Sequence, residues 1–267
     1  MFVCIWVRAT LRERKVCMNE AAARLADVVG ELCRRWGASA AHWGNDALSA
    51  VALLPTGTPA LDAAIGGVPR GRITELLSAP TSGMTTLALR LVAHAQARGE
   101  LAVWLDLAGA FDAEYAAACG VDLHALLLAQ PDTAPAALEL LRAFVQNGAV
   151  GVLVVDQLNH LQARPDHARL LDTTLHALAA PLAATPTVVL ALSILPYSPV
   201  MVQALAQRGS LIAHAAALRL HVARVAWPDD PFSLGCDACV TIIKDKTSGQ
   251  QGDIVVSLDF AAREVMT

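Results

Sequence analysis

The chain has 267 residues, 55% hydrophobic and 16% charged, which excludes disorder and provides a sizeable core for one medium domain with a small appendage. Twenty Lys and Arg against 24 Asp and Glu give a net charge of −4. That leaves no broad basic field, so any DNA contact must come from a local patch or through partners. A membrane span is excluded too: the uncharged stretch between Asp172 and Arg208 is cut by Pro181, Pro186, Pro196 and Pro199, leaving only 187–195 as a clean apolar run of strand length.

Residues 1–17 read as a leader or an over-extended start. Positions 1–6 are apolar and 8–15 basic, the reverse of a secretory signal, and Met18 makes a natural beginning. The cysteines, at 4, 17, 33, 119, 236 and 239, are irregularly spaced, as expected of a reducing cytoplasm. Residues 18–46 read as an N-terminal helical arm. Asn19 caps a helix to about Trp36, with Leu25, Val28, Val29, Leu32, Cys33 and Trp36 along one face. Periodicity leaves open whether this stripe docks on the chain's own core or on a neighbouring subunit.

The core domain is 47–267. Strands are expected at 72–77, 101–106, 126–129, 150–156 and 187–193. Helices are expected from the loop after 77 to Arg98, from a Thr133 cap to Gly148, and around 166–180. This alternation predicts an α/β fold with a central, mostly parallel sheet flanked by helices. Segments 218–225, 238–244 and 253–258 read as antiparallel strands extending the sheet at its C-terminal edge. Cys236 and Cys239 form a lone C-x-x-C with no second pair of ligands, so a plain hairpin turn is expected there and no metal site. The eight histidines are scattered and none pairs with a nucleophile at a useful spacing, which leaves an unrelated enzyme on this fold without support.

Residues 78–86 have the form of a phosphate-binding loop, G-x-x-x-x-G-K-[ST], in which backbone N–H groups cradle phosphates, a lysine neutralises them and a hydroxyl holds Mg²⁺. Thr81, Ser82, Gly83, Thr85 and Thr86 remain, but the opening glycine is Ser78 and the lysine position holds Met84. In parallel sheets ligands sit at the carboxyl ends of the strands. The loop, Asp106 and Asp156 should therefore converge, with Asp156 as a carboxylate that holds Mg²⁺ through water.

The ordered set of segments 54–62, 66–73, 112–115, 120–122, 130–133, 148–150, 154–156, 218–220 and 244–246 resembles the bacterial RecA recombinase family, over about 19–259. The resemblance implies a RecA-like core with an N-terminal arm, and an adenine contact at Asp112 and Tyr115. It also implies that Lys244 and Lys246 reach across a subunit boundary to the neighbour's γ-phosphate, with Leu25, Val28, Val29 and Leu32 in the subunit interface. An exposed strand end with ordinary lysines is the plainer reading of that pair.

Departures from the family pattern are equally specific. Its catalytic glutamate falls on Ala108, its γ-phosphate-sensing Asn-Gln pair on Ser193 and Ile194, and both DNA-binding loops are remodelled. Losing a hydrogen bond to a charged group costs about 1.5–3 kcal/mol, roughly tenfold to hundredfold in affinity. ATP with Mg²⁺ is therefore expected to bind weakly or not at all, and hydrolysis to be lost, with no catalytic residues left. The expected role is a non-hydrolysing accessory in DNA repair or recombination. It would partner RecA-like protomers (its own or an active RecA) or a translesion polymerase complex, since the ImuA-like adaptors of damage-induced translesion synthesis are similar in having a RecA core with a degenerate site. The alternative is a functional ATP-dependent, single-stranded-DNA-binding recombinase with a divergent nucleotide site.

Overall fold

The computed structural model describes residues 22–37, 51–162, 164–195, 211–226 and 235–259. The expected leader, the Asn19 cap and the rest of the arm lie outside them. The chain divides into two compact units, Met1–Ala50 and Val51–Thr267. In the first, helix α1 spans 22–36, and Leu25, Val28 and Leu32 on its apolar face are exposed while Val29 is half-buried.

The second unit is built on eight strands: β3 (Ile73–Ser78), β4 (Leu101–Asp106), β5 (Leu126–Ala129), β6 (Val150–Asp156), β7 (Val188–Ile194), β8 (Leu218–Ala226), β9 (Gly235–Asp245) and β10 (Gly252–Asp259). Their order across the sheet is β10-β9-β8-β3-β7-β6-β4-β5. From β8 through β5 every neighbouring pair is parallel. Only β8–β9 and β9–β10 are antiparallel. The expected antiparallel edge is present in β8, β9 and β10, and it joins the rest of the sheet through β8, which runs parallel to β3. A separate ribbon pairs β1 (Leu53–Leu54) with β2 (Val68–Pro69).

Helices α2 (Pro59–Ile65) and α3 (Met84–Ala97) belong to the layer on one face of the sheet. Helices α5 (Ala134–Asn147), α6 (Pro165–Ala183) and α7 (Leu211–Ala215) belong to the other, while the short α4 (Ala113–Ala118) follows β4. Strand β6 shows why its sequence has no polar alternation: Val152 and Val154 pack into the α3 layer, Leu153 and Val155 into the α5–α6 layer. Helix α5 starts where Thr133 Oγ1 accepts from the Ala136 N–H at 3.4 Å, and it ends on Gly148 in the left-handed region. Helix α6 runs past Pro181 to Ala183; the N–H that proline lacks falls in the last turn, so only the helix end is affected.

One correction concerns Cys236 and Cys239. They sit inside β9, not in a turn, and positions three apart in a strand point to opposite faces: Cys236 is buried and Cys239 half-buried. Among the described residues no group of three or more His, Cys, Asp or Glu is arranged to hold a metal ion, and no helix is long and apolar enough to cross a membrane.

Candidate nucleotide site

Strands β3, β4, β6 and β7 end together. In register, Ser78 stands opposite Ile194 and Asp106 opposite Asp156. The chain leaves β3 at Ser78 and turns through Thr81 (φ 60°) and Gly83 (φ 89°) into α3. Gly83 is required twice over, since a Cβ there meets the Leu258 side chain and the backbone is left-handed. The turn borders a cleft of about 450 Å³ lined by the loop residues 78–86, Tyr115 and Ile194.

Met84 is the first residue of α3 and is 5% exposed, packed into the core on the α3 face. Its sulfur lies 3.4 Å from the Ser78 hydroxyl. The two positions that depart from the phosphate-loop pattern thus satisfy each other, and no lysine stands in the loop. The rest of the loop keeps its polar order. The buried Ser82 hydroxyl donates to the Ala79 carbonyl at 2.6 Å, and the Thr86 and Tyr115 hydroxyls share a hydrogen bond of 2.6 Å. Burial pushes the Tyr115 phenol up to about 12, so it stays protonated at neutral pH.

The paired carboxylates have different environments. Asp106 accepts from the Ala108 N–H at 3.1 Å, the Phe111 N–H at 3.0 Å and Gln130 Nε2 at 2.9 Å. Burial raises its pKa, but these bonds outweigh it and hold the carboxyl below its ordinary value. Asp156 is pushed up to about 6 by burial and by the neighbouring Asp106 charge. Asp106 therefore organises the 107–111 turn, whereas Asp156 is the carboxylate that a cation would relieve.

A model of the RecA N-terminal domain family matches residues 23–249. The chain belongs to the RecA family. Protein RecA of Clavibacter michiganensis subsp. michiganensis is 41% identical over 145 residues, covering 53% of this chain and 40% of the relative. Protein RecA of Roseiflexus sp. (strain RS-1) is 42% identical over 146 residues, covering 53% and 41%. Protein RecA of Chloroflexus aurantiacus (strain J-10-fl) is 37% identical over 182 residues, covering 62% and 52%. The chain spans about half the length of the RecA relatives it matches.

Within this RecA-family core, the residues singled out from the sequence fall into two groups. Ser78, Thr81, Ser82, Gly83, Met84, Thr85, Thr86 and Tyr115 all line the cleft. Asp112 does not; it caps α4, accepting from the Tyr115 N–H at 2.9 Å, and so sets the helix that presents the Tyr115 ring. Lys244 is half-buried and donates to the carbonyls of Ala213 and His214 in α7. Burial, with the charges of Lys246 and Arg219, lowers its pKa. It is thus no ordinary exposed strand-end lysine, whereas Lys246 is exposed.

Four contributors escaped sequence reasoning. Glu75 binds Arg219 Nε at 2.6 Å and the Ser193 hydroxyl at 2.9 Å. Asn159 Oδ1 accepts from the Ile194 N–H at 3.3 Å. Ser193 and Ile194 are thereby both tied to the chain's own residues. Gln130 holds Asp106, and its place in the 130–133 segment was the one available signal. Arg224 donates to the Thr81 carbonyl at 3.0 Å and hydroxyl at 3.3 Å, and nothing in its local sequence marks it.

Proposed function

We propose that this RecA-family chain acts in DNA repair or recombination as a non-hydrolysing accessory, an adaptor or filament-associated subunit rather than an ATP-driven recombinase. The observation that carries this reading is Met84 folded onto Ser78 inside the core. Phosphoryl transfer needs positive charge on the transferring group and a residue that orients the attacking water. Met84 removes the lysine that ordinarily supplies the first, and the methyl group of Ala108 provides no polar atom for the second. The internal bonds of Ser193 and Ile194 support the same reading, because a serine hydroxyl committed to Glu75 and an apolar isoleucine side chain are poorly suited to sensing a γ-phosphate.

The proposed partners are RecA-like protomers, either further copies of this chain or an active RecA, with single-stranded DNA contacted weakly. The edge strand β5 supports association, since Leu127 and Leu128 stand exposed on it beside Leu101 and an apolar groove of about 540 Å³. Exposed apolar edges of this kind pair readily with another chain. In the arm, the apolar face of α1 supports it too. Lys246 is the better placed of the lysine pair to act in trans, because Lys244 is engaged with α7.

A phosphate-release assay with single-stranded DNA, run beside co-purification of the tagged chain from its own cells before and after DNA damage, tests the proposal. The expected result is no turnover and recovery of a RecA-like protein. Recovery of a translesion polymerase instead assigns the ImuA-like adaptor role within a damage response. DNA-stimulated turnover sinks the proposal in favour of a recombinase.

A further inference from the structure

We infer that the cleft still takes an anion carrying two or more linked phosphates, with Arg224 supplying the positive charge that Met84 cannot. This rests on the reading of a family member that no longer hydrolyses ATP, and it adds how such a chain holds a ligand. The argument starts at the end of β8. That strand runs parallel to β3 with Val222 opposite Ser78, so Arg224, two residues further on, emerges beside the phosphate loop.

There Arg224 Nη1 donates to both the carbonyl and the hydroxyl of Thr81, a cleft-lining residue. The guanidinium therefore stands against the Thr81 limb of the turn. In the usual pattern the cation rises from the first turn of the helix; here it comes from the neighbouring strand. A planar guanidinium suits phosphate oxygens, and it remains charged at any working pH. Arg224 is exposed, so its charge carries no burial cost, and Thr85, Thr86 and Tyr115 complete the polar lining. Placed at the loop, it attracts phosphate but does nothing to orient water, which is consistent with binding without turnover.

Calorimetric titration of the full chain with ATP and with inorganic tripolyphosphate, each with Mg²⁺, tests this on the wild type, Arg224→Ala, Arg224→Lys, Met84→Lys and the double variant. Arg224→Ala should weaken binding by roughly tenfold to hundredfold, Arg224→Lys by less, and Met84→Lys added to Arg224→Ala should restore it. Tighter binding of ATP than of tripolyphosphate supports a nucleotide as ligand; equal binding supports the phosphate chain alone. Should the Met84→Lys variants fail to fold, Arg224→Glu must abolish binding with an unchanged melting temperature. Undiminished affinity in Arg224→Ala, or binding by Met84→Lys but not by the wild type, overturns the inference and leaves the non-hydrolysing reading standing. ATP turnover by the wild type overturns that reading, while a loss of affinity in Arg224→Ala still upholds the role of Arg224.

Discussion

Glu75 on β3 and Arg219 on β8 stand opposite each other in a parallel ladder and form an ion pair of 2.6 Å, with both residues almost wholly buried. The Ser193 hydroxyl from β7 takes the other carboxylate oxygen, so three adjacent strands are tied through one side chain. Breaking such a pair leaves a buried charge uncompensated. Glu75→Ala should therefore cost about 3–5 kcal/mol of stability, and replacing both partners by apolar residues should cost much less. Urea denaturation of the two variants checks this; equal losses would contradict it.

Met84→Lys alone should not restore ATP turnover, because Ala108 still leaves the attacking water unoriented. Met84→Lys with Ala108→Glu should reach measurable phosphate release before either single variant does. Single-turnover assays decide it, and activity in the Met84→Lys single variant would show that water is oriented by another group.

Gly83→Ala should destabilise the second unit. A left-handed alanine costs about 1–2 kcal/mol, and the overlap of its Cβ with Leu258 adds a comparable amount. Adding Leu258→Ala should remove the overlap but not the backbone strain, so a partial recovery of melting temperature is expected, offset by the cavity it leaves.

Glu100 provides a pH signature. Hydrogen bonds from Arg70, one of them 2.9 Å, hold its carboxyl below the usual 4.5, with help from Arg98 and against burial. The native state thus binds fewer protons than the unfolded chain between the lowered value and 4.5. The stabilisation is complete above about 4.5 and disappears as pH falls through the native value. Glu100→Gln should cost about 1 kcal/mol at pH 7, with the difference from wild type closing in acid. Melting curves across that range measure it.

Substituting Leu25, Val28 and Leu32 by serine should abolish association with a RecA-like partner without lowering the melting temperature of the second unit. Sedimentation and co-purification report the first, calorimetry the second. Retained association would place the interface elsewhere.

Strands β4, β5 and β6 were legible to the residue because each is a short apolar run closed by a charged or turn residue, and β6, covered on both faces, needs no polar alternation. The caps of α5 were equally local. Strand β9 was misread at its start because C-x-x-C suggests a turn, although Cys236, Asp237 and Ala238 already alternate buried, exposed, buried. Helix α2 and the β1–β2 ribbon were missed because they are too short for a periodicity to develop.

What the amino-acid order determined by itself was the fold class and the absence of a lysine from the 78–86 loop, since both follow from neighbours along the chain: apolar runs, capping residues, a methionine at position 84. What only the tertiary structure decided was which distant groups come together. Glu75 meets Arg219 and Arg224 meets Thr81 because the parallel ladder brings β8 beside β3, joining residues more than 140 positions apart. Register between strands is set by the packing of both faces at once, and no single segment encodes it.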